Sequence, residues 1–405
     1  MMEKQKKLML LGGLRYLLPV IEAAHDLGYY VITCDYLPNN IAHKYSDEYC
    51  NVSIIDKEAV LALAKNLQID GIMSFAVDPG VVTAAYVQEQ MGLPGSPYKS
   101  VCILQNKDLF RSFLKEHGFN VPKSKGYDNG MDAFEDMNSN YYSLPVIVKP
   151  VDSAGSKGVT RVNKLEDLHM AIDHALDNSI LKRIIIEEYI EQVGYASDSD
   201  AFSVDGELKF ISFSDQHFDK NASNPYTPAA FNWPSTMSPA HQKEIKTEIQ
   251  RLLKLLNMGT SVYNIESRVG KDGRTYIMEI SPRGGGNRLS EMLRYATGVD
   301  LITNAVRAAV GDEIKDLNRD IYNGYWAEII LHSDEVGLFQ RVNIDKSIEK
   351  NIIELDLWID KDTSVSSFHS ANNSIGTVVL YFSSNEKMKE TMDNYKDKIK
   401  VVINK

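Results

Sequence analysis

Apolar positions in the first hundred residues fall into short unbroken runs separated by stretches of helical spacing. Leu8 to Leu11, Tyr30 to Cys34 and Gly71 to Phe75 are continuous and short, and read as strands buried on both faces of a parallel sheet. Between them, Tyr16 to Leu27, Glu58 to Leu67 and Pro79 to Met91 carry the apolar spacing of helices. Strands alternating with helices predict βαβ units, and hence a Rossmann-like domain over residues 1–104.

The pattern then changes. Asn106 to His117 predicts a charge-rich helix stopped by Gly118, Pro145 to Val148 a strand ending at Lys149, and Leu165 to Leu176 a helix. Ile184 to Ile186 predicts a strand running into Glu187-Glu188. These elements make residues 105–190 a small lid domain. Phe202 to Phe213 alternates like a hairpin turning at Asp205-Gly206. Pro239 to Leu256 reads as one long helix. Ser261 to Glu266 and Thr275 to Ile280 read as antiparallel strands joined at Lys271 to Gly273, and Leu289 to Val310 as a continuous helical stretch. Residues 191–314 are thus a third division. Residues 315–405 are expected to form an accessory α+β subdomain of two or three strands, with a last helix near Asn385 to Lys396. Asp215 to Ser235 shows neither period and is read as a loop.

Charge and cysteine content narrow the function. The 405 residues carry a formal net charge of −11, which argues against a nucleic-acid or anionic-membrane partner. Cys34, Cys50 and Cys102 have no metal-ligand spacing and no CxxC, so they read as incidental thiols of a cytosolic protein. The basic start (Lys4, Lys6, Lys7) is followed by too short an apolar run for a leader or a membrane span, and a cytoplasmic location is expected. The nine histidines form no HxH or HExxH pattern, so a zinc site is not expected.

Four segments carry candidate chemistry. Gly12-Gly13 after a strand could cradle a phosphate, but without GxGxxG a plain or substrate-facing turn is the better reading. Lys149 ends a strand just before Ser153 to Gly158, a Ser, Gly and Lys loop whose backbone amides can approach a polyphosphate; a solvated polar turn is the alternative. Glu187-Glu188-Tyr189-Ile190 follows three isoleucines and suits an adenine edge, or else is a solvated strand end. Glu266 and Glu279 each lie late in an apolar strand. Adjacent antiparallel strands would bring them to one face, where Mg²⁺ could relieve their repulsion. Two solvent-facing acids on a hairpin are the alternative. Ser281-Pro282-Arg283-Gly284-Gly285-Gly286-Asn287-Arg288 follows at once.

In order, Asn106-Lys107-Asp108, Val146 to Pro150, the Ser/Gly loop, Ile186 to Ile190, Ile265-Glu266 and Met278 to Arg283 resemble the ATP-grasp superfamily over roughly residues 5–310. The resemblance implies an α/β ATP-grasp fold and a carboxylate–amine ligase similar to L-amino-acid ligases. It implies ATP and Mg²⁺, with Mn²⁺ able to substitute. Lys107 and Lys149 would meet the α- and β-phosphates, and Ser153, Gly155, Ser156 and Gly158 would cover them. Glu187 would face the adenine amine, with Glu188 and Ile190 offering backbone groups. Glu266 and Glu279 would hold two Mg²⁺ ions, and Arg283 the reacting carboxylate. His217, Arg268, Asn287 and Arg288 should border the substrates, a small carboxylate, expected to be an amino acid, and an amine. A homodimer is one assembly open to it. Two departures stand out: Ser281 replaces the family's frequent Asn ligand, and Gly194 stands where a ribose-binding Glu is common. A carboxylase or purine-pathway ligase of the same fold, and a catalytically inert nucleotide-binding regulator, are the competing functions.

Overall fold

The structure is a computed structural model and describes residues 5–139, 141–153, 155–317 and 322–404. Lys4, and Ala154 within the Ser/Gly loop, lie outside the described residues.

The first sheet is parallel, in the order Glu48–Cys50, Tyr30–Cys34, Lys7–Leu11 and Gly71–Ser74. Nearly every residue of its central strands is buried, as the unbroken apolar runs require. A second, antiparallel sheet runs Ser124–Tyr127, Ile184–Glu188, Val146–Pro150 and Thr160–Val162. The helices Gly130–Asn138 and Leu168–Asp177 cover it, burying Val148, Ile186 and Ile172 between them. A third sheet has the order Glu207–Ile211, Ser197–Val204, Ser261–Val269 and Thr275–Ser281, all antiparallel. One of its faces packs on the helix Pro239–Leu255 and on the helix Lys107–Glu116 through Ile249, Leu253, Phe110 and Ile265. On the opposite face Phe202, Phe210 and Val262 join another core, and the rest of that face carries polar side chains. None of the described helices is long and apolar enough to cross a membrane.

Three expectations from the sequence are corrected. Leu289 to Val310 is two helices, Leu289–Thr297 and Leu301–Ala309. Gly298 takes φ +75°, ends the first, and Asp300 caps the second through Thr303 N. The described residues beyond 314 contain six strands rather than two or three: Tyr325–Leu331, Gly337–Ile344, Ile352–Leu357, Ser364–Val365, Gly376–Phe382 and Ile399–Asn404. Several of these are half-buried and charged, so their alternation is diluted. Asp215 to Ser235 is not a plain loop. It holds the strands Asp215–Phe218 and Pro228–Trp233, which pair with each other and extend a five-stranded sheet with Tyr325–Leu331, Gly376–Phe382 and Ile352–Leu357. Several of their polar residues are buried and bonded to one another: Asn232 Nδ2 donates to Asp215 Oδ2 at 3.2 Å, and His217 Nε2 lies 2.6 Å from Asn232 Oδ1. Buried polar side chains of this kind mask a strand from a hydropathy pattern.

Candidate functional site

Strand register builds an acidic face on the third sheet. Glu266 stands opposite both Glu279 and Asp198, and two residues away Asn264 stands opposite both Ser281 and Asp200. Directly opposed residues of antiparallel strands point the same way, as do residues two apart, so all six share one face. A β-bulge directly after Glu266 leaves Met278 without an opposite residue. Asn264 Nδ2 donates to Asp198 Oδ1 at 2.7 Å and to Asp200 Oδ1 at 3.3 Å. Asp200 is fully buried and also accepts from Gly285 N and from the hydroxyl of Ser290. A Cβ on Gly285 would lie 2.8 Å from Asp200 Oδ1, so the loop can approach this carboxylate only as glycine.

Cations ring this face. Arg268 lies 2.5 Å from Glu266 on its own strand. Lys107, the first residue of a helix capped by the Asn106 side chain, lies 3.3 Å from Glu279 and donates to Ser153 O at 3.0 Å. Arg283 is buried. Its Nε and Nη2 donate to the two oxygens of Asp78 at 2.9 and 2.8 Å, and its Nη1 donates to Asn264 Oδ1 and Gly284 O. Asp78 thus occupies the fork that the sequence reserves for a substrate carboxylate, leaving one Nη2 N–H without a partner among the described residues.

The electrostatics follow from this crowding. Burial, and next the field of Glu266, push the Asp198 carboxyl up to about 8. Burial would raise Asp78 too, but Arg283 outweighs it and holds that carboxyl low.

A second polar group lies under the lid sheet. Glu187 stands opposite Ile147, and Lys149, two residues on, shares its face. Lys149 Nζ is 2.8 Å from Glu187 Oε2, and Arg111 Nε is 2.8 Å from Oε1. Glu187 is 2 % exposed. Its burial works against ionisation, yet Arg111 and Lys149 prevail and bring its carboxyl down to about 2. Lys149 is lowered by its own burial, despite Glu187. Arg111 also donates to Met278 O at 2.8 Å, tying this group to the strand of Glu279. Glu188 is partly exposed, receives Ser143 N on its side chain and gives its own N–H to Lys123 O; Ile190 follows the strand end. In the Ser/Gly loop, Ser156 donates to Tyr226 O and accepts at its carbonyl from Asn224 Nδ2. Ser153 lies against Lys107, and Gly155 and Gly158 take positive φ.

The structure therefore brings Lys107, Glu266, Arg268, Glu279 and Arg283 to one face, with Lys149 and Glu187 linked to it through Arg111. His217 is elsewhere, buried against Tyr195 and Asn232. Asn287 and Arg288 lie further along the glycine loop, where Asn287 Oδ1 accepts from Tyr16 at 3.3 Å. Sequence reasoning missed Asp78, Arg111, Asp200 and Asn264 as members of the site. Asp198 and Asp200, two apart in a strand, did carry a signal, because period two puts them on one face. Arg111 carried one too, one helical turn beyond Lys107.

Residues 142–291 match the ATP-grasp domain family. The carbamoyl phosphate synthase large chain of Caldanaerobacter subterraneus subsp. tengcongensis is 28 % identical over 253 residues, 61 % of this chain and 22 % of that one. The match thus spans about a fifth of the length of such curated relatives. In fold, the chain is similar to an L-amino acid ligase from Bacillus licheniformis, with TM-score 0.81 and 18 % identity over 100 % of both chains. It is also similar to a phosphoribosylglycinamide synthetase from Anaerococcus prevotii, with TM-score 0.76 and 20 % identity over 99 % of this chain and 100 % of that one. Residues 142–291 are thus an ATP-grasp domain, and the whole chain has the fold of ATP-grasp ligases and carboxylases.

Proposed function

We propose that the protein is an ADP-forming ligase that joins a small carboxylate, an amino acid by preference, to an amine through an acyl phosphate. The observation that carries this is the cross-strand row Asp198–Glu266–Glu279 with Lys107 beside it. The donor set fits Mg²⁺, or Mn²⁺ in its place. It offers hard carboxylate oxygens, and it holds more acid than the neighbouring cations balance, as the raised Asp198 carboxyl reflects. Glu266 and Glu279 would hold the metal, which when bound supplies positive charge to the phosphate oxygens.

The residues divide the work. Lys107 and Lys149 offer their ammonium groups to the α- and β-phosphates. Glu187 holds Lys149 in place and keeps lone pairs for the adenine amine, with Glu188 and Ile190 lining the ring edge through their backbone. The loop from Ser153 to Gly158 would close over the phosphates and exclude water, which protects an acyl phosphate from hydrolysis. The remaining N–H of Arg283 orients the carboxylate. The carboxylate oxygen attacks the γ-phosphorus and ADP leaves. The amine then attacks the acyl carbon, phosphate departs with the former carboxylate oxygen, and the amine gives up a proton.

A screen of amino acids with ATP and Mg²⁺ tests this. It should give phosphate release and a product lighter than its two substrates by one water. The sequence relationship to carbamoyl phosphate synthase large chains favours a second reading, in which bicarbonate is the acid. ADP release that depends on bicarbonate and on no amino acid would select it.

A further inference from the structure

A second group of acids lies beyond the glycine loop, on the five-stranded sheet. Glu328 and Glu354 both stand opposite Val379, one on each side of the central Gly376–Phe382 strand. They therefore share a face, two strand spacings or about 10 Å apart. Arg288 lies over this face. Its Nη1 donates to Glu354 Oε1 at 2.7 Å and to Thr377 Oγ1 at 2.9 Å, and its Nε and Nη2 donate to Glu291 Oε1 at 3.3 and 3.2 Å. Glu328 is treated differently. It is fully buried, and neither carboxylate oxygen has a hydrogen-bond partner among the described residues. The charged groups whose fields reach it are Arg288, Glu291 and Glu354. The one cation whose field reaches Glu328, Arg288, is thus already committed to Glu291 and Glu354.

A buried carboxylate with no partner costs stability even when uncharged, so its presence here calls for a reason. The surroundings supply one. Tyr16, from the first domain just past the Gly12-Gly13 turn, feels the field of Glu328 and bonds to Asn287. Asn287 ends the loop that begins at Arg283, and four residue steps of chain span at most about 14 Å. The acids around Glu328 therefore border the far end of the loop that carries Arg283.

We propose that Glu328, with Glu291 and Glu354, forms a subsite for a protonated primary amino group of the substrate. This rests on the ligase reading and deepens it: at least one substrate carries an ammonium that is not the attacking amine, either on the carboxylate donor or as a second amino group of the amine acceptor. The ammonium would supply the hydrogen-bond donors and the positive charge that Glu328 lacks. Burial, outweighing the help of Arg288, raises the Glu328 carboxyl well above the usual range in the free protein. Ammonium binding would therefore ionise it and release a proton.

The test is binding to the full chain in Mg²⁺-ADP, where no turnover occurs. The probes are the twenty L-amino acids and their N-acetyl derivatives, read by thermal shift and calorimetry. At least one free amino acid should bind, its N-acetyl form at least tenfold more weakly, with proton release seen as a dependence on buffer ionisation heat. Glu328→Gln should erase that preference while keeping its own shift with Mg²⁺-ADP, which shows that it is folded. Glu291→Gln, at a more accessible carboxylate, should weaken the same ligand. Which substrate loses affinity during turnover separates donor from acceptor. Preference retained in Glu328→Gln, no binding by any amino acid, or a Glu328-dependent shift with Mg²⁺ alone would each overturn the subsite. Binding without ADP release in turnover assays would instead sink the ligase reading and leave the subsite standing.

Discussion

Asp198→Asn should make the metal-free protein more stable at high pH. Asp198 is buried opposite Glu266, and its carboxyl titrates at about 8 rather than at the unfolded value near 3.8. A carboxyl raised on folding helps most below its unfolded pKa. That advantage is lost as pH rises from about 4 to about 8, at up to about 1.4 kcal/mol per pH unit. The replacement removes this dependence without leaving a gap. Asn264 Nδ2 can still donate to the side-chain oxygen, and the Gln216 amide, which now donates to Asp198 Oδ2 and has an unpartnered Oε1, can turn over to accept from the new amide. The assay is thermal unfolding in chelator at pH 5 and pH 8. The variant should gain several degrees over the wild type at pH 8 and little at pH 5. Mg²⁺-ATP should narrow the gap by stabilising the wild type more. Equal differences at both pH values, or a variant less stable at pH 8, would refute the crowding argument.

Two further outcomes follow from the same geometry. Glu279→Gln should keep the fold and lower kcat at least about 100-fold, the scale of a lost electrostatic stabiliser; phosphate release under saturating Mg²⁺-ATP reads it. Lys149→Ala should weaken ATP binding and also destabilise the protein by about 1–3 kcal/mol, because it leaves the buried Glu187 with Arg111 as its one close cation. Glu187 is held down at about 2, so its contribution is present above its usual value near 4.5 and lost as pH falls toward 2. The stability gap between Lys149→Ala and wild type should therefore close on acidification, as urea unfolding at pH 7 and pH 3 would record.

The sequence made the strand-borne parts of this site legible because period two is a geometric rule. Glu266 and Glu279 ended apolar strands of the same hairpin, and the register puts them opposite each other. Lys149 and Glu187 were visible as strand-end charges, although their direct pairing needed the sheet order. Asp78 was not legible: it meets Arg283 across 205 residues, and nothing local in Asp78-Pro79 announces a partner. Glu328 was hidden for the opposite reason. It lies in an apolar strand, Trp326 to Ile330, where one acid among five residues reads as a solvent-facing position until the neighbouring strands are known. The strands around His217 and Asn232 escaped because His217, Asn232 and Asp215 are polar side chains that bond to one another inside the sheet.

The central claim is that a substrate carboxylate takes the γ-phosphoryl group of ATP. It is tested most directly by supplying the carboxylate with both oxygens labelled as oxygen-18 and analysing the released phosphate by mass spectrometry. The account predicts ADP and, in each turnover, one labelled oxygen in the phosphate. Unlabelled phosphate, or AMP and pyrophosphate in place of ADP, would contradict it.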